Sequence, residues 1–509
     1  MITSWNSLRE YSPKATETTK FCGRTVLYTD VTNITKDNIV SVLDNLIWDI
    51  YDNYRHIKML KNYEKGLQPI LDRKKNIRAD INNRVVVNHA HEIKEFKKGF
   101  IFGDPVTYVQ RARDDARSDS SNIDEEEAKT DKAISELNEM MFEQGKSSKD
   151  IKLAEEFLTC GVGYRLLLPS KKGSNEISAF KIYPLKSEYT FVVYSNDVYR
   201  KKVLAGTFVI KETGKVELGC YTNEKYFSLE GTFGNWKVKE ETNGIGLIPI
   251  IEYCNNDDRM GSFEPVIKLI NAINLTSSDR VNGIAQFIQA ILWMNNCKLT
   301  DKQFDELMLK GCIQTTDIAD NKKAVIQWLA TELNQTNTQT VVDDFTEKML
   351  EIAGVPGREQ STGGNTGQAI MLSNGWHIAE TQAQAFEEVY KEAESHFIEV
   401  ALRIIQNSKK VSKDNPLKAL KVSDVETRFN RSRTDNLLTK TQALMAMEEA
   451  GVHPRLAFKL CGLFSDSEQA YIDSKPYLKK FSFDMEDDTD ATDSHNKQIN
   501  SEPTTKEEK

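Results

Sequence analysis

The chain has no apolar run long enough to cross a bilayer. Its most hydrophobic stretch, Ile284 to Met294 (IAQFIQAILWM), covers eleven residues and includes two glutamines, well short of the roughly twenty that a membrane helix requires. That excludes a helical membrane channel and predicts a buried or interface helix instead. Cysteine pairing is also missing: Cys22, Cys160, Cys220, Cys254, Cys297, Cys312 and Cys461 are odd in number and show no CxxC spacing. A disulfide framework and a cysteine zinc site are therefore not expected, and free thiols in a reducing cytoplasm are. The N-terminal MITSWNSLREYSPK has no apolar stretch behind its charges, so no secretory signal is expected. Excess positive charge is absent as well. The 67 Lys and Arg against 76 Asp and Glu leave a net charge of -9, which argues against a protein that wraps nucleic acid with a basic surface. An acidic protein can still enclose DNA.

Catalytic and cofactor signatures are lacking too. There is no GxSxG and no HExxH, and no GK[ST] follows Gly363, Gly364 and Gly367. Gly161 and Gly163 lack the third glycine of a dinucleotide fingerprint and precede a strand, so they are expected to serve tight turns. His89 and His91 stand two apart without a cysteine or carboxylate set, and DMEDDTDATD lacks the glycine and closing glutamate of a calcium loop. No metal, cofactor or catalytic set is expected. Arg73, Lys74, Lys75 and Arg78 make one modest basic patch, read as a solvated face.

What is present is a mixture of helical and extended patterns, predicting an α+β protein. At 509 residues the chain has room for several cores. Asp37 to Lys65 repeats apolar residues at spacings of three and four and ends at Gly66. Asn82 to Phe102 predicts a short extended piece and a second helix, followed by a strand over Val106–Val109. Asp114 to Asp131 is acidic and predicts a solvated insertion or a frayed helix start. Tyr164 to Tyr253 alternates in short runs bounded by Gly, Asn and Ser, the pattern of several antiparallel hairpins.

The turn cluster Asn255–Gly261 is a candidate boundary. From Ser262, a possible cap with Pro265 in the first turn, one long helix is expected to about residue 296, with Gly283 a weak point. A small module over Cys297–Asn337 follows, and a helix returns from about Thr340. Then comes Val355 to Ile370, VPGREQSTGGNTGQAI, a long glycine-rich loop set before a second long helical pattern, Ala369 to Gln406, in which Gly375 is a possible kink. Val422–Phe429 suits a strand, Thr439–Glu449 and His453–Leu463 suit short helices around Gly451, and the acidic sequence beyond Phe483 is too polar to form a core.

Four ordered segments, NYEKGLQPI, NNRVVVNHAHEIKEFKKGFIFGDPVTY, IPIIEYCNNDDRMGSFEPVIKLINAIN and STGGNTGQAIML, resemble the portal proteins of tailed double-stranded DNA bacteriophages of the siphophage type. The third is the most specific. Thr366 stands where a serine is common and Asn271 where an aspartate is frequent. The resemblance implies a homo-oligomeric ring of about twelve subunits around a DNA channel at one capsid vertex. It implies a flexible N-terminal arm (1–36), an α/β wing (37–261), stem helices (262–296 and 339–354), a clip (297–338), a tunnel loop (355–368), a long wing helix with a return strand (369–429), a helical crown (430–482) and a disordered acidic tail (483–509).

By the same resemblance, Arg358, Gln360, Ser361, Gly363, Gly364, Asn365 and Thr366 would face DNA in the tunnel loop. Lys298, Lys302, Lys310, Lys322 and Lys323 of the clip would meet the terminase large subunit and later the head-tail adaptor. Scaffold and major capsid proteins are the other implied partners. The expected location is the virion, with host cytoplasm during assembly. The physics suits weak handling of a moving duplex: glycine permits backbone motion, amides and hydroxyls bond phosphate without gripping it, and Arg358 is the one cation placed to touch it. The alternative from another class is a metal-dependent nuclease or other head-associated enzyme, its site assembled from distant acids.

Overall fold

The computed structural model describes residues 23–76, 79–111, 121–170, 178–213, 215–232, 235–288, 291–295, 300–302, 325–329, 335–357, 375–429, 437–461, 463–464 and 467–474. It mixes helix and sheet, as the α+β reading expects, and forms two compact units, residues 1–433 and 434–509.

In the first unit, strand β1 (Leu27–Thr29) precedes helix α1 (Ile39–Glu64). Its apolar positions Ile39, Val42, Leu43, Leu46, Ile47 and Ile50 recur at helical spacing and are all buried. They cover a six-stranded sheet of β1, β5 (Thr190–Ser195), β6 (Lys202–Ile210), β7 (Val216–Tyr221), β8 (Lys225–Thr232) and β9 (Asn235–Thr242), in that order. β5 to β9 form an antiparallel meander, and β1 adds in parallel along β5. Phe191, Val193, Leu204, Phe208 and Phe227 supply the sheet's side of this core.

A second core forms around a three-stranded antiparallel sheet, β10 (Ile250–Cys254), β3 (Val162–Pro169) and β4 (Phe180–Leu185). Around it lie α2 (His89–Phe102), α3 (Ser121–Glu143), α4 (Lys146–Cys160) and the long α7 (Trp376–Asn407). A two-stranded ribbon joins β2 (Thr107–Gln110) to β13 (Val425–Arg428). From α7, Phe386, Phe397, Val400, Leu402 and Ile405 are buried here, as its periodicity predicts. Gly375 is the residue before α7, not a kink inside it. Its φ of 79° is left-handed, so the helix starts only at Trp376.

One carboxylate ties these elements together. Glu394 of α7 is fully buried and accepts hydrogen bonds from Tyr108 Oη at 2.5 Å and Tyr253 Oη at 2.6 Å. Lys146 Nζ lies 3.0 Å from it and Arg165 Nη1 lies 3.5 Å from it, and both cations also pair with Asp150. The Arg165 guanidinium lies over the rings of Phe397 and Tyr253, at 4.7 and 5.0 Å. Burial alone would raise the Glu394 pKa. The two cations and the tyrosine hydroxyls outweigh it and hold the group at about 2.

Between β10 and the next helix, the turn cluster 255–261 is fastened to the end of α4. Asn255 N donates to Gly161 O at 2.9 Å, and Ser262 donates to Leu158 O through both N and Oγ, at 2.7 and 2.8 Å. Ser262 is therefore not a helix cap. Pro265 instead sits in a 3-10 turn, Glu264–Val266, that leads into the helix. A Cβ at Gly161 would fall 1.9 Å from Arg259 O, so this close approach requires glycine. Gly163 lies inside β3 rather than in a turn, where a Cβ would press on Leu153 and Phe157 of α4.

Helix α5 (Ile267–Ile288) is shorter than the expected helix to residue 296. Ile291–Asn295 forms β11, paired antiparallel with β12 (Val325–Leu329). A short apolar run satisfies either period, and here the cross-strand partner decides it. Helix α6 (Gln335–Ala353) follows. The second unit holds α8 (Leu437–Glu449), α9 (Pro454–Cys461) and α10 (Ser467–Ser474). Phe458 stacks on Phe464 at 5.1 Å and meets Tyr471 edge-on at 6.1 Å.

Replacing Glu394 by alanine leaves two buried cations with only Asp150 between them and is expected to cost about 3–5 kcal/mol in chemical unfolding. Because the folded pKa lies below the ordinary 4.5, the wild-type contribution is complete above pH 4.5 and fades as pH falls toward 2. A Glu394→Ala variant as stable as wild type at pH 7 would contradict this.

Candidate functional site

Helices α5 and α6 run antiparallel. Near their base Ile267, Ile270 and Ile273 share a core with Met349, Leu350 and Ala353, and farther out Arg280 Nη1 bonds Gln339 Oε1. Pairing of low with high numbers in this way continues into the β11–β12 ribbon. The same core takes in Met59, Leu60 and Tyr63 of α1 and Ala90 and Ile93 of α2, so the base of the helix pair is part of the body.

A strand-like segment, residues 81–88, lies along α5 and is held by side chains. Asn83 N donates to Asn282 Oδ1 at 2.6 Å, Val85 N to Ser278 Oγ at 2.9 Å and Val87 N to Asn274 Oδ1 at 2.8 Å. The match is geometric. Four residues of helix rise about 6 Å, and two residues of extended chain rise about 6.6 Å, so an i, i+4, i+8 row meets every second amide. At the foot of this row Asn274 Nδ2 donates to Gln68 Oε1 and Tyr63 Oη donates to Asn271 Oδ1 at 2.8 Å. Asn271, where an aspartate is frequent in the resembling proteins, thus serves as a neutral acceptor.

The glycine-rich loop starts and ends at one place. Gly354, with φ 67°, closes α6, and Val355 N donates to Leu350 O at 2.9 Å. A Cβ at Gly375, on the return side, would lie 3.8 Å from Pro356 Cα. Trp376 then anchors the returning chain against Phe96 and Phe100, each with its ring centroid 6.0 Å away. Arg358, Gln360, Ser361, Gly363, Gly364, Asn365 and Thr366 lie outside the described residues, as do Lys298, Lys310, Lys322 and Lys323. Lys302 is described and exposed.

No set of three or more His, Cys, Asp or Glu side chains placed to hold a metal occurs among the described residues. His89 Nδ1 pairs with Glu92 at 2.8 Å and His91 Nδ1 with Glu64 at 2.6 Å, so neither histidine faces the other. No described helix is long and apolar enough to cross a membrane. The residues that sequence reasoning missed are the buried polar ones. Asn274, Ser278 and Asn282 do leave a trace, a four-residue polar spacing on a helix opposite an alternating valine run.

The described residues thus form an α/β body with an antiparallel helix pair, a two-stranded ribbon and a loop whose two ends lie side by side. The family described as phage portal protein, SPP1 Gp6-like, matches residues 44–475, and the chain belongs to it. Its role is that of a phage portal protein, the channel component at the capsid vertex through which double-stranded DNA is packaged and ejected. The family is structural rather than catalytic, and nothing in the match favours a nuclease. No curated protein matches the chain.

Removing two acceptors, with Asn274→Ala and Ser278→Ala together, leaves the Val85 and Val87 amides without their partners. Hydrogen exchange at these two amides is expected to speed up by about fivefold or more, since each lost bond costs about 1 kcal/mol. Unchanged protection would show that the row does not hold the segment.

Proposed function

We propose that the chain works as one subunit of a ring of about twelve, with α5 and α6 as the stem around the channel and the loop 355–368 as its narrowest collar. The observation that carries this reading is the closed base of the loop. The chain leaves α6 and returns to α7 beside its starting point, so both ends of the loop share one mount. Apolar side chains left exposed on the helix pair support a ring. Val281 and Ile284 of α5 and Val341 and Ile352 of α6 are each at least 40 % exposed in a single chain. Val341 and Ile352 stand eleven residues apart, about three turns, and so share one face of α6.

In this reading Arg358, Gln360, Ser361, Asn365 and Thr366 touch the DNA backbone, and Gly363 and Gly364 let the collar yield. Contact is weak and blind to sequence, because phosphate bonds position a duplex without reading it. The tip, taken to begin at β11, carries Lys298, Lys302, Lys310, Lys322 and Lys323 toward the terminase large subunit during packaging and the head-tail adaptor afterwards. The body is the wing and the second unit the crown, with scaffold and major capsid proteins at the outer surface. Assembly takes place in the host cytoplasm.

Stiffening the loop with Gly363→Pro and Gly364→Pro is expected to leave rings intact in electron micrographs and to lower DNA packaged in vitro by about tenfold or more. Loss of rings in this variant would mean that the loop is a structural joint.

A further inference from the structure

A cleft of about 340 Å³ opens beside the mount of the loop, between α2, the first turns of α7 and the turn 255–257. Phe96, Phe100, Ala385 and Phe386 give it an apolar wall, and Gln382 and Lys97 bring polar groups to it. Lys97 forms no ion pair among the described residues, although Asp257 also borders the cleft. Burial pulls its amine down to about 8. An occupant that fits is therefore aromatic or aliphatic, with a carboxylate one helical turn away.

The same chain carries such a group elsewhere. Phe142, in the last turn of α3, is 88 % exposed, the one large aromatic of that helix turned to solvent. Glu139 is three residues earlier, on the same face, exposed and without an ion pair among the described residues. Phe142 and the cleft belong to opposite ends of α4: Phe142 stands just before its first residue, Lys146, and Leu158 of its last turn lines the cleft. Twelve residues of helix separate these ends by about 18 Å, so one subunit cannot seat its own Phe142.

We propose that Phe142 of each subunit docks in this cleft of the next, with Glu139 meeting Lys97. The contact is heterologous, one surface against a different surface of the neighbouring copy, and repeated around an axis it closes a ring. This inference rests on the ring reading above. It adds a particular joint beside the loop mount, so that packing of one subunit's α3 bears on the place from which the neighbour's loop projects.

The test is a full-length chain with Phe142→Cys and Ala385→Cys, oxidised after assembly. A ladder of covalently linked oligomers on non-reducing gels is expected, absent from either single variant, because a disulfide requires Cα atoms within about 7 Å. Intact rings without a ladder, or a bond formed within one chain, would overturn the joint while leaving the ring reading standing. Absence of rings from the wild-type protein would overturn both. Independently, Lys97→Glu is expected to slow assembly about tenfold and Glu139→Lys in the same chain to restore it. A Lys97→Glu variant that assembles at the wild-type rate would count against the joint.

Discussion

The fold depends on a buried charge that is almost completely neutralised. Glu394 receives hydrogen bonds or ion pairs from four other elements: Tyr108 on β2, Lys146 on α4, Arg165 on β3 and Tyr253 on β10. Taking charges out of water costs several kcal/mol for each ion, so such a cluster stabilises a structure only when every partner is in place. That makes it selective. A slide of α7 by one turn would leave Arg165 and Lys146 buried with one carboxylate, Asp150, for two cations, and the helix is thereby fixed in register on the sheet. Because the loop returns to the first residue of this helix, the register of α7 also fixes one end of the loop.

The other end is set by different physics. Helix α6 is held by apolar packing against α5, and α5 is held lengthwise by the amides of residues 83, 85 and 87. Matching a helical row to an extended chain works only over a short span, since the two rises differ slightly and the error accumulates. Three bonds lie within that limit. Together the charge cluster and the polar row place both ends of a long loop at one point of the body. For a protein whose family handles a moving duplex, this is a rigid mount for a segment whose own sequence, rich in glycine and short of cations, favours yielding contact.

Much of this was legible in the sequence and some was not, for identifiable reasons. Helix α1 and helix α7 were plain from their three-and-four spacing, because amphipathic helices at a single core face write their burial directly into the pattern. The hairpins from Tyr164 to Tyr253 were plain for the same reason at period two. The strand Ile291–Asn295 was not, since an apolar run of that length fits a buried helix equally well and only its partner Val325–Leu329 distinguishes them. Glu394 and Arg165 were invisible, because charged residues are ordinarily at the surface and nothing local marks one as interior. The loop was marked out by its composition and by the block STGGNTGQAIML, and the closeness of its two ends, at Pro356 and Gly375, came from the tertiary fold alone.

The acidic balance of the chain takes its meaning from the same arrangement. A net charge of -9 disfavours tight binding to DNA over most of the surface, so a duplex inside such a channel would be confined more than held. The central claim is that the closed-base loop stands on the axis of a ring of copies. Cryo-electron microscopy of the assembled protein tests it most directly. The account predicts a closed ring with an axial hole whose narrowest point is formed by residues 355–368. A ring that places these residues on its outer edge, or a protein that stays monomeric under all conditions, would contradict it.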